Sequence, residues 1–232
     1  ISWQYATDSM PETSEPVFKE ITTPRGERAN IQLGDGSKII LNSDSRLTMP
    51  EKFSHSRRIV KLKGQAFFEV APNSTHPFIV VTNGMEVEVL GTSFDVSSYE
   101  NDDKFHVAVS EGSVIFRNTE RPEDHVQLNS GEVGIFSRTN AVFTKKAEED
   151  LSMYMGWRTG RLIFKNASIV EVVNRIERWY DISIVLQMSE ERRAEKKLTA
   201  DLKTKSIREL MDVIRASTGL EYEMDDDHII LR

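Results

Sequence analysis

From Arg28 to about Phe143, apolar and polar side chains alternate with a period of two over short runs. Ala29, Ile31 and Leu33 fall on one face before Gly34-Asp35-Gly36, and Lys38 to Leu41 returns from that turn. Val60 and Leu62 alternate with Lys61 and Lys63, and Val87 and Val89 with Glu86 and Glu88. Phe105, Val107 and Val109 alternate with Lys104, His106 and Ala108. Turn-forming pairs separate the runs: Pro72-Asn73, Asn83-Gly84, Asn101-Asp102, Glu111-Gly112 and Ser130-Gly131. Such alternation buries one face of each strand, and no helix-length amphipathic run interrupts it. Residues 25–150 are therefore expected to form an all-β domain, a β-sandwich or jelly roll.

The period then changes. Ser168-Ile169-Val170-Glu171 is a capping box, in which the serine oxygen accepts from an orphan N–H and the glutamate reaches back. Ile169, Val172, Val173, Ile176, Trp179 and Tyr180 follow as one apolar helical stripe. Ser206-Ile207-Arg208-Glu209 is the same box 38 positions on, and its stripe of Ile207, Leu210, Met211 and Ile214 ends at Gly219. At the same offset Leu162 and Phe164 match Ala200 and Leu202, while Ile182, Ile184 and Leu186 match Leu220, Tyr222 and Met224. Residues 151–232 are expected to form a small α+β domain of two βαβ repeats, 157–188 and 196–232. Neither repeat covers its own sheet alone, so the two should pack together. The charged run Ser189 to Lys197 between them reads as a solvated loop or a frayed helix. Residues 1–24 carry Pro11, Pro16 and Pro24 among Ser, Thr and Glu, and read as an extended leader or linker. In it Trp3 and Tyr5 either mark a membrane-proximal end or dock on the core.

A chain of 232 residues has room for one or two domains with a sizeable core. Its net charge of −7 repels phosphate backbones, so nucleic acid is not an expected partner. The absence of cysteine rules out disulfides and thiol chemistry and suits an oxidising compartment. The longest apolar runs, such as Phe78-Ile79-Val80-Val81, fall far short of the ~20 residues a membrane span needs.

Catalytic and metal constellations are hard to find. The histidines His55, His76, His106, His125 and His228 make no His-x-His or i, i+4 pair, so the ligand set of a cupin is missing. Glu123-Asp124-His125 reads as a loop tip. Asp225-Asp226-Asp227-His228 reads as a solvated turn, because a calcium loop needs alternating carboxylates and a central glycine. Gly-x-Ser-x-Gly is absent, and Gly34-x-Gly36 precedes a strand rather than a helix. Glu86 and Glu88 share the solvent face of a strand. No cofactor, metal or enzymatic activity is expected.

The octapeptide Val89-Leu-Gly-Thr-Ser-Phe-Asp-Val96 follows, in order, Leu33-Gly34-Asp35-Gly36-Ser37, Ile39 to Ser45, Lys63-Gly64-Gln65-Ala66-Phe67-Phe68-Glu69-Val70 and Pro77 to Val80. Ser110-Glu111-Gly112-Ser113-Val114 comes after it. This set resembles the periplasmic domain of the FecR family, the ferric-citrate-type transmembrane sigma regulators. Trp157, Gly160, Leu162-Ile163-Phe164 and Ile229-Ile230-Leu231 resemble the C-terminal region of FecR-like regulators of Bacteroidota. That region is similar to the short N-terminal signalling domain of secretins and TonB-dependent transporters. Gln65 departs from the pattern where an acidic residue is common, Asp95 where Asn is common, and Gly34 where Pro is usual.

The resemblance implies the periplasmic region of a single-pass inner-membrane anti-sigma factor whose span and cytoplasmic part lie outside this chain. Its partners would be the signalling domain of an outer-membrane TonB-dependent transporter and, through the cytoplasmic part, an extracytoplasmic-function sigma factor. Docking by strand addition has candidate edges at Leu198 to Leu202 and at Ile229, Ile230 and Leu231. Candidate anchors are Trp157, Trp179 and Tyr180, with Arg158, Arg161, Arg175 and Arg178 as a basic surround. Trp179 and Tyr180 have a core-packing alternative. The resemblance also permits self-cleavage between Gly91 and Thr92, by attack of the threonine hydroxyl on the preceding carbonyl. The plainer alternative there is a β-bulge whose hydroxyl satisfies a backbone group. A different class of function is a solute- or glycan-sensing β-sandwich, for which Tyr99 and Phe53 are the few candidate aromatic contacts.

Overall fold

The computed structural model describes residues 17–54, 56–203, 206–225 and 228–232. Trp3, Tyr5, His55, Asp226 and Asp227 lie outside the described residues, as does the leader up to residue 16.

The first part is built of strands. In chain order they are β1 (Phe18–Thr23), β2 (Ala29–Gln32), β3 (Lys38–Leu41), β4 (Ser45–Pro50), β5 (Arg58–Glu69), β6 (Phe78–Thr82) and β7 (Met85–Val89). Then come β8 (Ser93–Ser98), β9 (Lys104–Glu111), β10 (Ser113–Asn118), β11 (His125–Asn129), β12 (Glu132–Ser137) and β13 (Val142–Ala147). They form two layers that share one strand. One layer runs β1-β4-β5-β6-β7-β10-β11 and the other β2-β3-β5-β8-β9-β12-β13. The first half of β5 pairs with β4 and β6, and the second half, from Gly64, pairs with β3 and β8. The change of layer occurs at Gly64, whose φ of +97° only glycine adopts without strain. A Cβ there would also lie 2.9 Å from the Asp44 carbonyl oxygen.

Between the layers lies one apolar core in which Phe68 stacks on Phe94 at 5.1 Å and tilts against Phe78. Sandwich geometry follows from alternation, as expected, but β5 shows a second pattern. Residues 58–63 alternate buried and exposed, whereas Gly64 to Phe68 are buried on both faces. The outer face of the second layer is therefore covered too.

The cover is the start of the second part. A short helix α1 (Ser152–Met155) and a 3-10 turn (Gly156–Thr159) place Tyr154, Met155 and Trp157 on Phe67, Ala108 and Val133. Then follow β14 (Leu162–Ser168), α2 (Ile169–Tyr180), β15 (Ser183–Leu186), α3 (Glu190–Glu195), β16 (Lys197–Leu202), α4 (Ile207–Thr218), β17 (Tyr222–Met224) and β18 (His228–Leu231). The serine half of each capping box forms: Ser168 accepts from Glu171 N–H and Ser206 from Glu209 N–H, each at 3.2 Å. The helices end in left-handed caps at Asp181 and Gly219, again 38 positions apart. β14 pairs with β16, and the stripes of α2 and α4 share one core. The duplication is thus real, and the run 189–197 adopts the helical alternative, with Ser189 capping α3.

Two expectations are corrected. Residues 18–23 are not leader: they form β1, paired along β4, because Ile21, Thr22 and Thr23 are β-branched and Ile21 packs on the core. Ile229 to Leu231 is not an edge. β18 has no counterpart in the first repeat and lies between β15, which it pairs in parallel, and β17, which it pairs antiparallel.

Candidate functional site

The two parts meet around Asp95, a carboxylate with 0% exposure. It sits on β8 between Phe94 and Val96, which point into the sandwich, so its own side chain points to the covered outer face. Trp157 Nε1 donates to Asp95 Oδ2 at 2.8 Å. Gln65 Nε2 donates to Oδ1 at 2.9 Å, and His106 Nε2 lies 3.3 Å from the same oxygen. The Gln65 oxygen accepts from Asn42 Nδ2 at 2.9 Å, and the Asn42 oxygen accepts from Arg28 Nε at 3.0 Å. A buried charge is tolerated only with such partners.

Arg28 continues the junction. Its guanidinium lies 4.1 Å from the Trp179 ring centre and 5.7 Å from that of Trp157, and burial lowers its pKa below the usual value. Gly26 N–H donates to the Arg178 carbonyl at 2.8 Å. Arg178, 7% exposed, reaches from α2 to Asp102 with a two-pronged hydrogen bond at 2.9 and 3.1 Å. It also covers the Tyr99 ring at 3.9 Å. Burial pushes the Tyr99 phenol well above its ordinary value, and its O–H donates to the Ser43 carbonyl at 2.8 Å. Beside this contact an interdomain cleft of about 480 Å³ opens between β9, β14 and α2.

The expected site residues fall into three groups. Trp157 and Trp179 are brought together at the junction, and Trp157 is 5% exposed. Tyr180 and Leu202 pack against the second core, in which Leu198 and Ile229 are buried. Ile230 is partly exposed, and Arg161 pairs on the surface with Asp201 at 2.6 Å. Of the basic surround, Arg178 and Arg158 face the first part, Arg158 lying 3.6 Å over the Phe67 ring.

Sheet edges differ in access. β16 is paired on one side only, by β14. The outer edge of β15 is occupied: Glu177 accepts from Ile184 N–H at 2.7 Å, and Arg193 donates to the Leu186 carbonyl at 2.7 Å. β17 is the other edge of that sheet. Glu221 and Asp225 bond across to Arg232 and His228, so alternation turns the N–H groups of Tyr222 and Met224 outward.

At Gly91 and Thr92, the Thr92 hydroxyl donates to the Ser113 carbonyl at 2.9 Å, and the β8–β9 register shifts between Ser93 and Phe94. A Cβ on Gly91 would lie 2.6 Å from Pro72 Cα, so close backbone approach accounts for that glycine. The aromatic contacts considered for a glycan are committed to the interior: Tyr99 as above, and Phe53 edge-on to Phe78 at 6.0 Å. His125 Nδ1 lies 3.0 Å from the Glu123 carbonyl and Asp124 pairs with Arg121.

Gln65 and Asp95 touch, which the sequence reading missed by treating each as a separate departure. The signal was present: a lone acid flanked by Phe94 and Val96 inside a strand needs a buried partner.

Residues 19–115 match the family described as FecR protein, and residues 161–231 match the family described as FecR, C-terminal. Two crystal structures of a candidate anti-sigma factor from Parabacteroides distasonis ATCC 8503 are similar. The 1.65 Å structure gives a TM-score of 0.85 at 32% identity, covering 92% of this chain and 98% of that one. The 2.50 Å structure gives 0.86 at 32%, covering 93% and 98%. No curated protein sequence matches.

Proposed function

The chain belongs to the FecR family, and from that membership we propose that it is the sensory region of an anti-sigma factor. It is a signalling and interaction protein rather than an enzyme. In this reading the region is periplasmic, in a single-pass inner-membrane protein. It receives a signal from the periplasmic signalling domain of an outer-membrane TonB-dependent transporter. A cytoplasmic region then passes the signal to an extracytoplasmic-function sigma factor.

The observation that carries the reading is the duplicated second domain with an open sheet edge. Strand addition needs an edge whose main-chain groups are free, and supplies hydrogen bonds with little demand on sequence. β15 is closed by Glu177 and Arg193, and β18 is central, which leaves β17 in that sheet; in the two-stranded sheet both β16 and β14 are edges, and Arg175 takes the Ile163 carbonyl of β14. Trp157 and Trp179 then act as anchors between the chain's own domains, coupling events at that edge to the β-sandwich.

Calorimetry of the whole chain against periplasmic signalling domains of TonB-dependent transporters from the same genome tests this. Selective binding of one domain, weakened at least about tenfold by Met224→Pro, is the expected result. Proline there removes an outward N–H and no ladder bond. Binding to none of them would overturn the relay.

A further inference from the structure

The interdomain cleft has a charge balance opposite to that of the chain. Five cationic side chains and three carboxylates line it, in a protein whose net charge is −7. The carboxylates are committed. Asp102 is held by Arg178, and Asp103 by the Thr139 hydroxyl and amide. Glu171 pairs with Arg175 one turn along α2 at 3.7 Å, an ion pair without a hydrogen bond. Among the cations, Arg178 is taken by Asp102 and Lys146 by Glu148. Lys165 on β14 has no ion-pair partner among the described residues, and Lys104 on β9 has only the neighbouring charge of Asp103.

Arg175 is held in place as well. Its guanidinium lies 4.5 Å from the Phe164 ring centre, and Nη1 donates to the Ile163 carbonyl at 3.0 Å. That is its one hydrogen bond among the described residues, so the rest of the donor fork is left to the cleft, beside Glu171. Burial lowers its pKa from the usual arginine value, against the opposing pull of the Glu171 carboxylate. A planar fork of N–H donors matches a carboxylate, which it grips through two parallel bonds. The volume of about 480 Å³ suits a small solute, and junctions between domains are where such sites concentrate.

We propose that this cleft binds a small organic carboxylate, gripped by the Arg175 fork and flanked by Lys104 and Lys165. Lys104 belongs to the β-sandwich, whereas Arg175 and Lys165 belong to the second domain. The bound anion would bridge the two and tighten their docking. This input is separate from any transporter contact, because it requires neither β16 nor β17. Affinity for the docked form alone raises the melting temperature by mass action.

The test is titration calorimetry and thermal melting of the whole chain with succinate and with D-glucuronate, at fixed ionic strength. D-glucose and inorganic phosphate are the comparison solutes. Saturable binding of at least one carboxylate, with a rise in melting temperature, is expected, and no binding of glucose. Arg175→Gln should weaken that affinity about tenfold or more, the scale of a lost charge-assisted hydrogen bond. The double variant Lys104→Gln/Lys165→Gln removes only exposed side chains, so it keeps the fold and should weaken binding similarly. Lys52→Gln, at a residue that does not line the cleft, should bind as the unaltered chain does. Failure of both carboxylates to bind at millimolar concentration overturns the proposal. So does equal binding by the cleft variants and Lys52→Gln, or binding of phosphate in place of either carboxylate.

Discussion

Gln65 and Asp95 depart from the family pattern in opposite senses, acid to amide and amide to acid, and their side chains meet at 2.9 Å. The pair keeps one negative charge and exchanges which residue carries it. A single change should therefore be worse than the double. Asp95→Asn puts an amide where three donors converge and should cost about 2–4 kcal/mol. Adding Gln65→Glu restores a donor–acceptor match and should recover more than about 1 kcal/mol, read as a coupling energy in a urea-denaturation cycle. Asp35 offers a pH test. Burial raises its pKa, but hydrogen bonds from Arg58, at 2.7 Å, and Ser37 outweigh that and hold it below the ordinary value. A carboxylate depressed in the folded state stabilises above its unfolded value of about 3.9 and loses that contribution as pH falls through the folded value. Asp35→Asn should lower stability by about 3 kcal/mol at neutral pH, because it strands the buried Arg58. It should also flatten the loss below about pH 4, read from urea midpoints across pH. At Thr92 the bulge reading predicts one band on a denaturing gel after long incubation, identical for Thr92→Ala. Two fragments from the unaltered chain alone would establish cleavage instead.

At the scale of elements, the legible features were those that obey a period. The alternating strands and the 38-residue repeat with its two serine N-caps all formed, and even the helix C-caps keep the offset. Three features broke the period and were missed. The second half of β5 is buried on both faces, so Phe67 next to Phe68 looks like a lapse in alternation until the second domain covers it. β1 is flanked by Pro16 and Pro24, and punctuation outweighed its β-branched interior. β18 carries the apolar pattern of an edge strand but gains a partner on each side, since a parallel pairing leaves no local turn signal. Gly64 was visible only as part of a motif. Gly64→Ala should cost about 2–4 kcal/mol, from a disfavoured φ and from crowding against the Asp44 carbonyl. Thermal denaturation followed by circular dichroism reads that loss.

Across the whole molecule, only part of the junction was legible, since Arg28 and Asp102 gave no signal in the sequence. Trp157 and Trp179 were picked out as anchors, but what they anchor is the chain's own β-sandwich, through Asp95 and Arg28. No spacing rule links Asp95 to Trp157 or Asp102 to Arg178, so only the folded chain shows that they meet. The Arg178–Asp102 pair should make the two domains melt as one. Arg178→Ala leaves Asp102 without its cation and should cost about 3 kcal/mol. It should also split a single calorimetric transition into two. The shared strand has a mechanical consequence. β1 enters in one layer and β13 leaves in the other, and the hydrogen-bonded route between them runs through β5. Tension applied across the β-sandwich therefore loads β5 in shear. The layers cannot slide apart like two stacked cards, because they are one sheet creased at Gly64. Such a body passes a pull from end to end without stretching until the crease itself gives way.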